Sequence, residues 1–201
     1  MNRRAMLTAL PAALTTVPAL LLAAPARAHT TRAQILVAAA REQTRHPVTY
    51  EGAYTRIPYP MGDVAPNKGV CTDVVIRAYR SLGIDLQERV HQDMAAHFSL
   101  YPKAWGLSHP DSNIDHRRVP NLRVFLSRFG ASLPMTQHGG DYAPGDLVTY
   151  RLAYNLPHIA IVSDSRTRPD RYRIIHNIGA GPQEEDSLLD YDITGHYRYA
   201  L

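Results

Sequence analysis

The chain has 201 residues, a formal net charge of +4, 45% hydrophobic residues and a single cysteine. That length is enough for one domain with its own core, and one cysteine excludes an intramolecular disulfide framework. The positive charge sits mostly in the opening segment: Arg3, Arg4 and Arg27 leave with it and no acid does, so the +4 falls by three to +1 for residues 29–201. With no lysine- or arginine-rich run carrying interleaved aromatics, a nucleic-acid partner is excluded.

Residues 1–28 read as an export signal. Arg3 and Arg4 form a short positive start, an apolar stretch runs from Ala9 to Ala24, and Ala26-Arg27-Ala28 is a small-x-small cleavage site. Arg3-Arg4 with Met6-Leu7 behind it resembles the twin-arginine signal, which exports proteins already folded, although an ordinary secretory signal also tolerates two arginines. Pro11, Pro18 and Pro25 interrupt the segment, which falls short of the ~20 apolar residues needed to span a bilayer. The expectation is an exported, periplasmic or extracellular protein with no stable membrane insertion after cleavage. Residues 29–201 contain no repeat, low-complexity tract or linker, so a single domain is expected.

Ala33 to Arg45 is apolar at Ile35, Leu36 and Ala39, which predicts a helix. Tyr50 to Gly69 carries Pro58, Pro60 and Pro66 among its glycines and reads as an extended loop. Cys71 to Leu82 has Val74, Val75, Ala78, Tyr79 and Leu82 at three- and four-residue steps, and Gly83 ends the helix they predict. Glu88 to Phe98 and Pro120 to Phe129 repeat the pattern, with Pro120 suited to a first helical position. After Gly139-Gly140 the period shortens. Asp146 to Leu152, Pro157 to Ser163 and Tyr172 to Ile178 are β-branched or aromatic runs that predict strands. Helices first and strands later predict an α+β fold, with the Cys71 helix packed on a C-terminal antiparallel sheet.

The chemistry gathers on that packing. Cys71 shares a helix face with Val74, Val75 and Ala78, so the thiol sits at the helix start and points towards the sheet. The positive end of the helix dipole favours a thiolate there, which helps a thiol that otherwise titrates near ~8.5. A small buried hydrophobe is the alternative reading of this cysteine. His158 opens one predicted strand and His176 closes the next, with Asp164 to Arg171 between them as a polar hairpin loop. Symmetric pairing about Thr167 sets the two histidines opposite each other, with Cβ atoms ~5 Å apart on one face. A one-residue slip brings Asn177 opposite His158 instead. A cysteine, a histidine that deprotonates it and a polar third group that fixes the imidazole are the layout of an activated thiol.

Gly145-Asp146-Leu147-Val148-Thr149-Tyr150 followed by His158-Ile159-Ala160-Ile161-Val162, downstream of a helix-start cysteine, resembles the NlpC/P60 cysteine peptidases. Gly69 to Arg80, Asn113 to Val119, Ile175 to Gly179 and Gly195-His196-Tyr197-Arg198 more closely resemble the bacterial family DUF1287, over nearly all of residues 29–201. The superfamily resemblance implies a papain-like core with Cys71 as nucleophile, His158 as general base and His176 orienting the imidazole. It also implies hydrolysis of an amide in peptidoglycan stem peptides. The chain departs from the usual Asp-Cys-Ser nucleophile motif, since Val70 precedes Cys71 and Thr72 and Asp73 follow it. Asp73 suits the helix dipole but opposes a thiolate if it lies close to the sulfur. The long insertion from Asp85 to Gly140 shapes a different cleft.

Other side chains have weaker claims on substrate. Arg117 or Arg118, with His116 beside them, can grip a stem-peptide carboxylate in two-pronged fashion, or the loop can simply be tied by an Asp115–arginine pair. Tyr54 and Tyr59 can lend a hydroxyl to an oxyanion site. The ten histidines fall in no metal-ligand spacing, so no metal is expected, and nothing identifies a cofactor or an oligomeric state. Two other readings share the scaffold: an acyl or peptidyl transferase on the same thiol, and a non-catalytic wall-binding module.

Overall fold

The structure is a computed structural model and describes residues 30–201; the expected signal, residues 1–28, lies outside the described residues. Helix α1, Arg32–Glu42, starts at Thr31, whose hydroxyl accepts from Gln34 N–H while the Gln34 amide accepts from Thr31 N–H. This reciprocal cap satisfies two of the free donors of the first turn. The helix buries Leu36, Val37 and Ala40, and its expected last residues tighten into a 3₁₀ turn at Gln43–Arg45. Two short strands, β1 (Thr49–Tyr50) and β2 (Lys68–Gly69), pair in parallel and clasp the ends of the proline-rich loop.

Helix α2, Cys71–Arg80, is buried along every residue except Arg77 and Arg80. Val70 has no side chain able to cap it, so Asp73 reaches back and accepts from Val70 N–H at 2.7 Å. Arg77 and Arg80 both turn to Asp63, at 3.0 and 2.8 Å. Helix α3, Leu86–His97, is capped by Asp85, and α4, Val119–Phe129, has Pro120 in its first turn. These spans match the predicted helices to within a few residues.

The sheet is larger than the sequence predicts. Six strands run antiparallel in the order β3 (Ala131–Ser132), β8 (Asp192–Arg198), β4 (Leu147–Arg151), β5 (Pro157–Arg168), β6 (Arg171–Asn177) and β7 (Pro182–Glu185). One face, carrying Leu147, Ile159, Ile161, Ile175 and Tyr197, packs on the helices and holds the main core. The other face carries Val148, Tyr150, Ala160, Val162 and Ile174, covered by Tyr142 and Leu188 from the loops. The architecture is α+β, with α1, α2 and α4 against one face of an antiparallel sheet and α3 packed on α2 and α4.

One loop expectation is corrected and one strand is added. The segment Asp164 to Arg168 continues β5 rather than forming a hairpin loop, and Pro182–Glu185 adds an edge strand, β7, that the sequence does not predict. Both are polar because they lie beyond or at the border of the core, so neither carries an apolar alternation to announce itself.

Candidate active site

Cys71 is the first residue of α2 and is 4% exposed. It packs with Ile159, at the start of β5, in the core beneath the helices. Burial, and secondarily the nearby Cys71, push the Tyr50 hydroxyl of β1 up to about 12. Burial pushes the thiol up to about 11; the Ile159 N–H opposes that rise, and the nearby Asp73 charge adds to it. Desolvation therefore outweighs the helix start, and the resting group is a thiol rather than the expected thiolate.

His158 stands opposite Tyr150 in the β4–β5 ladder, with their rings 6.2 Å apart. Its Nε2 lies 2.9 Å from Nδ1 of His176, and Nε2 of His176 lies 2.9 Å from Oε2 of Glu185 on β7. A carboxylate only accepts, so Glu185 sets the His176 proton on Nε2 and leaves Nδ1 as an acceptor. His158 must then donate through its own Nε2, which assigns the lone pair to His158 Nδ1. Burial, and secondarily the charge of His176, pull the His158 imidazole down to about 3, so the ring is neutral. A neutral imidazole held in one tautomer can accept a proton at Nδ1.

The two histidines meet, but not as directly opposed residues. The ladder pairs Ile161 with Ile175 and Val162 with Ile174, a register displaced by two residues from symmetric pairing. The register shifts again towards the turn, where β5 accommodates more residues than β6 between paired positions. An even displacement keeps both rings on one face and sets them on a diagonal, close enough for long side chains to meet. That face is the one of Tyr150, Ala160 and Ile174, whereas Cys71 packs with Ile159 and Ile161 on the helix face. The structure thus brings the two histidines together without a hydrogen bond from either to the thiol.

The weaker candidates are spread around this group. Arg117 grips Asp73 through two hydrogen bonds of 2.8 Å, and both side chains are buried. Nη2 of Arg117 also donates to Glu51 O, while Nη1 is buried with no partner among the described residues. His116 is buried, with Nδ1 unpartnered, and burial lowers it to about 4. Arg118, not Arg117, pairs with Asp115. Asn177 does not face His158; its amide donates to Gly69 O and its oxygen accepts from Gly179 N–H, tying the end of β6 to β2. Tyr59 stacks edge-on against His91 of α3, with centroids 5.0 Å apart, and Tyr54 donates to Asp111. Among the described residues, no three His, Cys, Asp or Glu side chains converge as metal ligands.

Sequence reasoning missed Tyr50 and Glu185. Tyr50 opens the predicted loop two residues from the first glycine, and only the β1–β2 pairing carries it to the helix start. Glu185 is one of four consecutive acid or amide residues, and only the strand assignment of β7 separates it from Glu184, which points to the other face and binds Arg41.

Residues 37–199 match the family model described as "Domain of unknown function (DUF1287)". Over 160 residues the chain is 51% identical to the uncharacterized protein YijF of Escherichia coli (strain K12), covering 80% of this chain and 78% of that protein. The structure of NlpC1 from Trichomonas vaginalis aligns with 87% of this chain and 46% of its own length, at a TM-score of 0.47 and 13% identity. The chain thus spans less than half of that structure. A family match running from α1 to the residue after β8, together with a relative half identical over 160 residues, places the chain in the DUF1287 family.

Proposed function

We propose that the protein is an exported thiol hydrolase that cleaves an amide bond in peptidoglycan stem peptides. The observation that supports it best is the His158–His176–Glu185 relay at the start of β5, the strand on which the helix-start thiol also packs through Ile159. The likeness of the Gly145–Tyr150 and His158–Val162 segments to NlpC/P60 peptidases supports the substrate class and a papain-like core. Residues 1–28 support export, by the twin-arginine or the general route.

The reaction starts from an uncharged pair. His158 Nδ1 takes the proton of Cys71 as the sulfur attacks the carbonyl carbon, so the charge on sulfur need not exist beforehand. The oxyanion is held by backbone N–H groups at the start of α2, with the Tyr50 hydroxyl as a further donor. The C–N bond then breaks, the protonated His158 gives its proton to the leaving amine, and an acyl thioester remains. Water, deprotonated by His158, adds to the thioester, releasing the acid and restoring the thiol. His176 and Glu185 keep His158 in the tautomer that makes Nδ1 the base.

The burial and raised titration of Cys71 favour a second reading, a wall-binding module that retains the scaffold without turnover. One experiment separates the two. Purified peptidoglycan is digested with the wild-type protein beside Cys71→Ala, and the products are read by liquid chromatography and mass spectrometry. New muropeptides from the wild type alone are expected, and their masses identify the bond. The same digest with an added amine distinguishes water from an acceptor amine, hence hydrolase from transferase. No products from either protein, with sedimentation on sacculi retained by both, would establish the binding module.

A further inference from the structure

At the start of α2 lies a cleft of about 330 Å³, lined by Tyr54 beyond β1, Val70 ahead of α2, Trp105, Arg117 and Arg118. These residues come from four separate stretches of chain, and Val70, which lines the cleft, directly precedes Cys71, which does not.

The cleft offers donors whose own counter-charges are already engaged. Arg117 commits Nε and Nη2 to Asp73, which fixes the guanidinium plane and leaves Nη1 buried without a partner. A charged donor left unmet in the interior is more costly than a neutral one, so such a group calls for a ligand or water. Arg118 gives Nη1 to Asp115 and lies over the Trp105 ring, 4.1 Å from its centroid. Its other nitrogens make no hydrogen bond to the described residues. Asp73 is further occupied by Val70 N–H, Asp115 by Asp111 N–H, and Asp111 by the Tyr54 hydroxyl and Asn113. Half-exposed Trp105 and exposed Tyr54 supply flat apolar walls above these donors.

Two guanidinium edges between aromatic walls match a planar, twofold acceptor. We infer that this cleft binds a free carboxylate of the peptide substrate, with Arg117 Nη1 and Arg118 as donors and Tyr54 and Trp105 against the adjoining chain. This rests on the proposed reading only in taking the substrate to be a peptide. The carboxylate is either the C-terminal one or the α-carboxylate left free where a residue is linked through its side chain.

The test is a binding measurement that needs no turnover. Full-chain Cys71→Ala protein is titrated calorimetrically with a synthetic stem tripeptide bearing both carboxylates, with its C-terminal amide and with its α-amide. One of the two amides is expected to bind about tenfold more weakly or worse, the loss of one charge-assisted pair, and which one it is identifies the carboxylate. Adding Arg118→Ala should abolish that discrimination. Arg117→Lys, which keeps the charge for Asp73 but not the free Nη1, should reduce it while the circular dichroism spectrum is retained. Equal binding of acid and both amides, no binding of the acid, or discrimination that survives Arg118→Ala would overturn the inference. The hydrolase reading fails separately, when the wild type binds the acid selectively but releases no products from peptidoglycan.

Discussion

Nε2 of His176 lies 2.9 Å from Oε2 of Glu185, so the imidazole that orients His158 is itself oriented by a carboxylate on the edge strand. The Glu185 side chain is 39% exposed, and its removal should cost little stability. Glu185→Ala is expected to lower kcat roughly 10- to 100-fold, less than the ~10²–10⁴ of removing the base itself with His158→Ala. Glu185→Gln keeps an acceptor and should recover most of the loss. A structural role would instead lower Tm in step with activity, so kcat and Tm measured together decide it.

Cys71→Ala replaces one small side chain with another and should leave Tm nearly unchanged while abolishing turnover. Stability loss above ~3 kcal/mol, read from denaturant unfolding, would mark the thiol as a packing group instead.

His158 and His116 are buried and neutral, lowered to about 3 and about 4. Unfolding returns both rings to ~6.5, so below that pH the unfolded chain binds more protons, and stability falls as pH falls towards the folded values. By pH 4.5 the two rings together withdraw on the order of 5 kcal/mol at most. Urea midpoints at pH 7 and pH 4.5 should show the drop, and His116→Asn should show a smaller one. An equal drop in that variant would remove His116 from the account.

Arg117 and Asp73 form a buried pair, whereas Arg151 and Asp192 form an exposed one. Asp73→Ala leaves a buried guanidinium unpaired and also uncaps Val70, for an expected cost of ~3–5 kcal/mol. Asp192→Ala should cost less than ~1 kcal/mol. Comparable costs in the two variants would mean that the Asp73 pair is solvated in solution.

The parts of the fold legible in the sequence are those with an apolar period. Val74, Val75, Ala78 and Tyr79 outline α2, and Ile159, Ile161, Ile174 and Ile175 outline two central strands, because burial dictates their spacing. The sheet borders were not legible. The Asp164–Arg168 end of β5 and the whole of β7 are polar, and β8 carries a register shift opposite Thr149 and Tyr150 that breaks its alternation. The His158–His176 meeting was legible because parity survives a displacement of two residues; their diagonal offset depends on irregularities that no local pattern encodes. Glu185 and Tyr50 belong to elements whose pairing partners alone define them.

Strand β7 lies at the end of the sheet, and its backbone pairs on one side only, with β6. An edge strand is the part of a sheet that opens at the least cost. Detachment of β7 would take Glu185 out of the relay and leave α2, its thiol and the central strands in place. Amide exchange along β7 should therefore outpace that of β5 and β6. The fraction of molecules with an intact relay is then set by this local opening rather than by global unfolding.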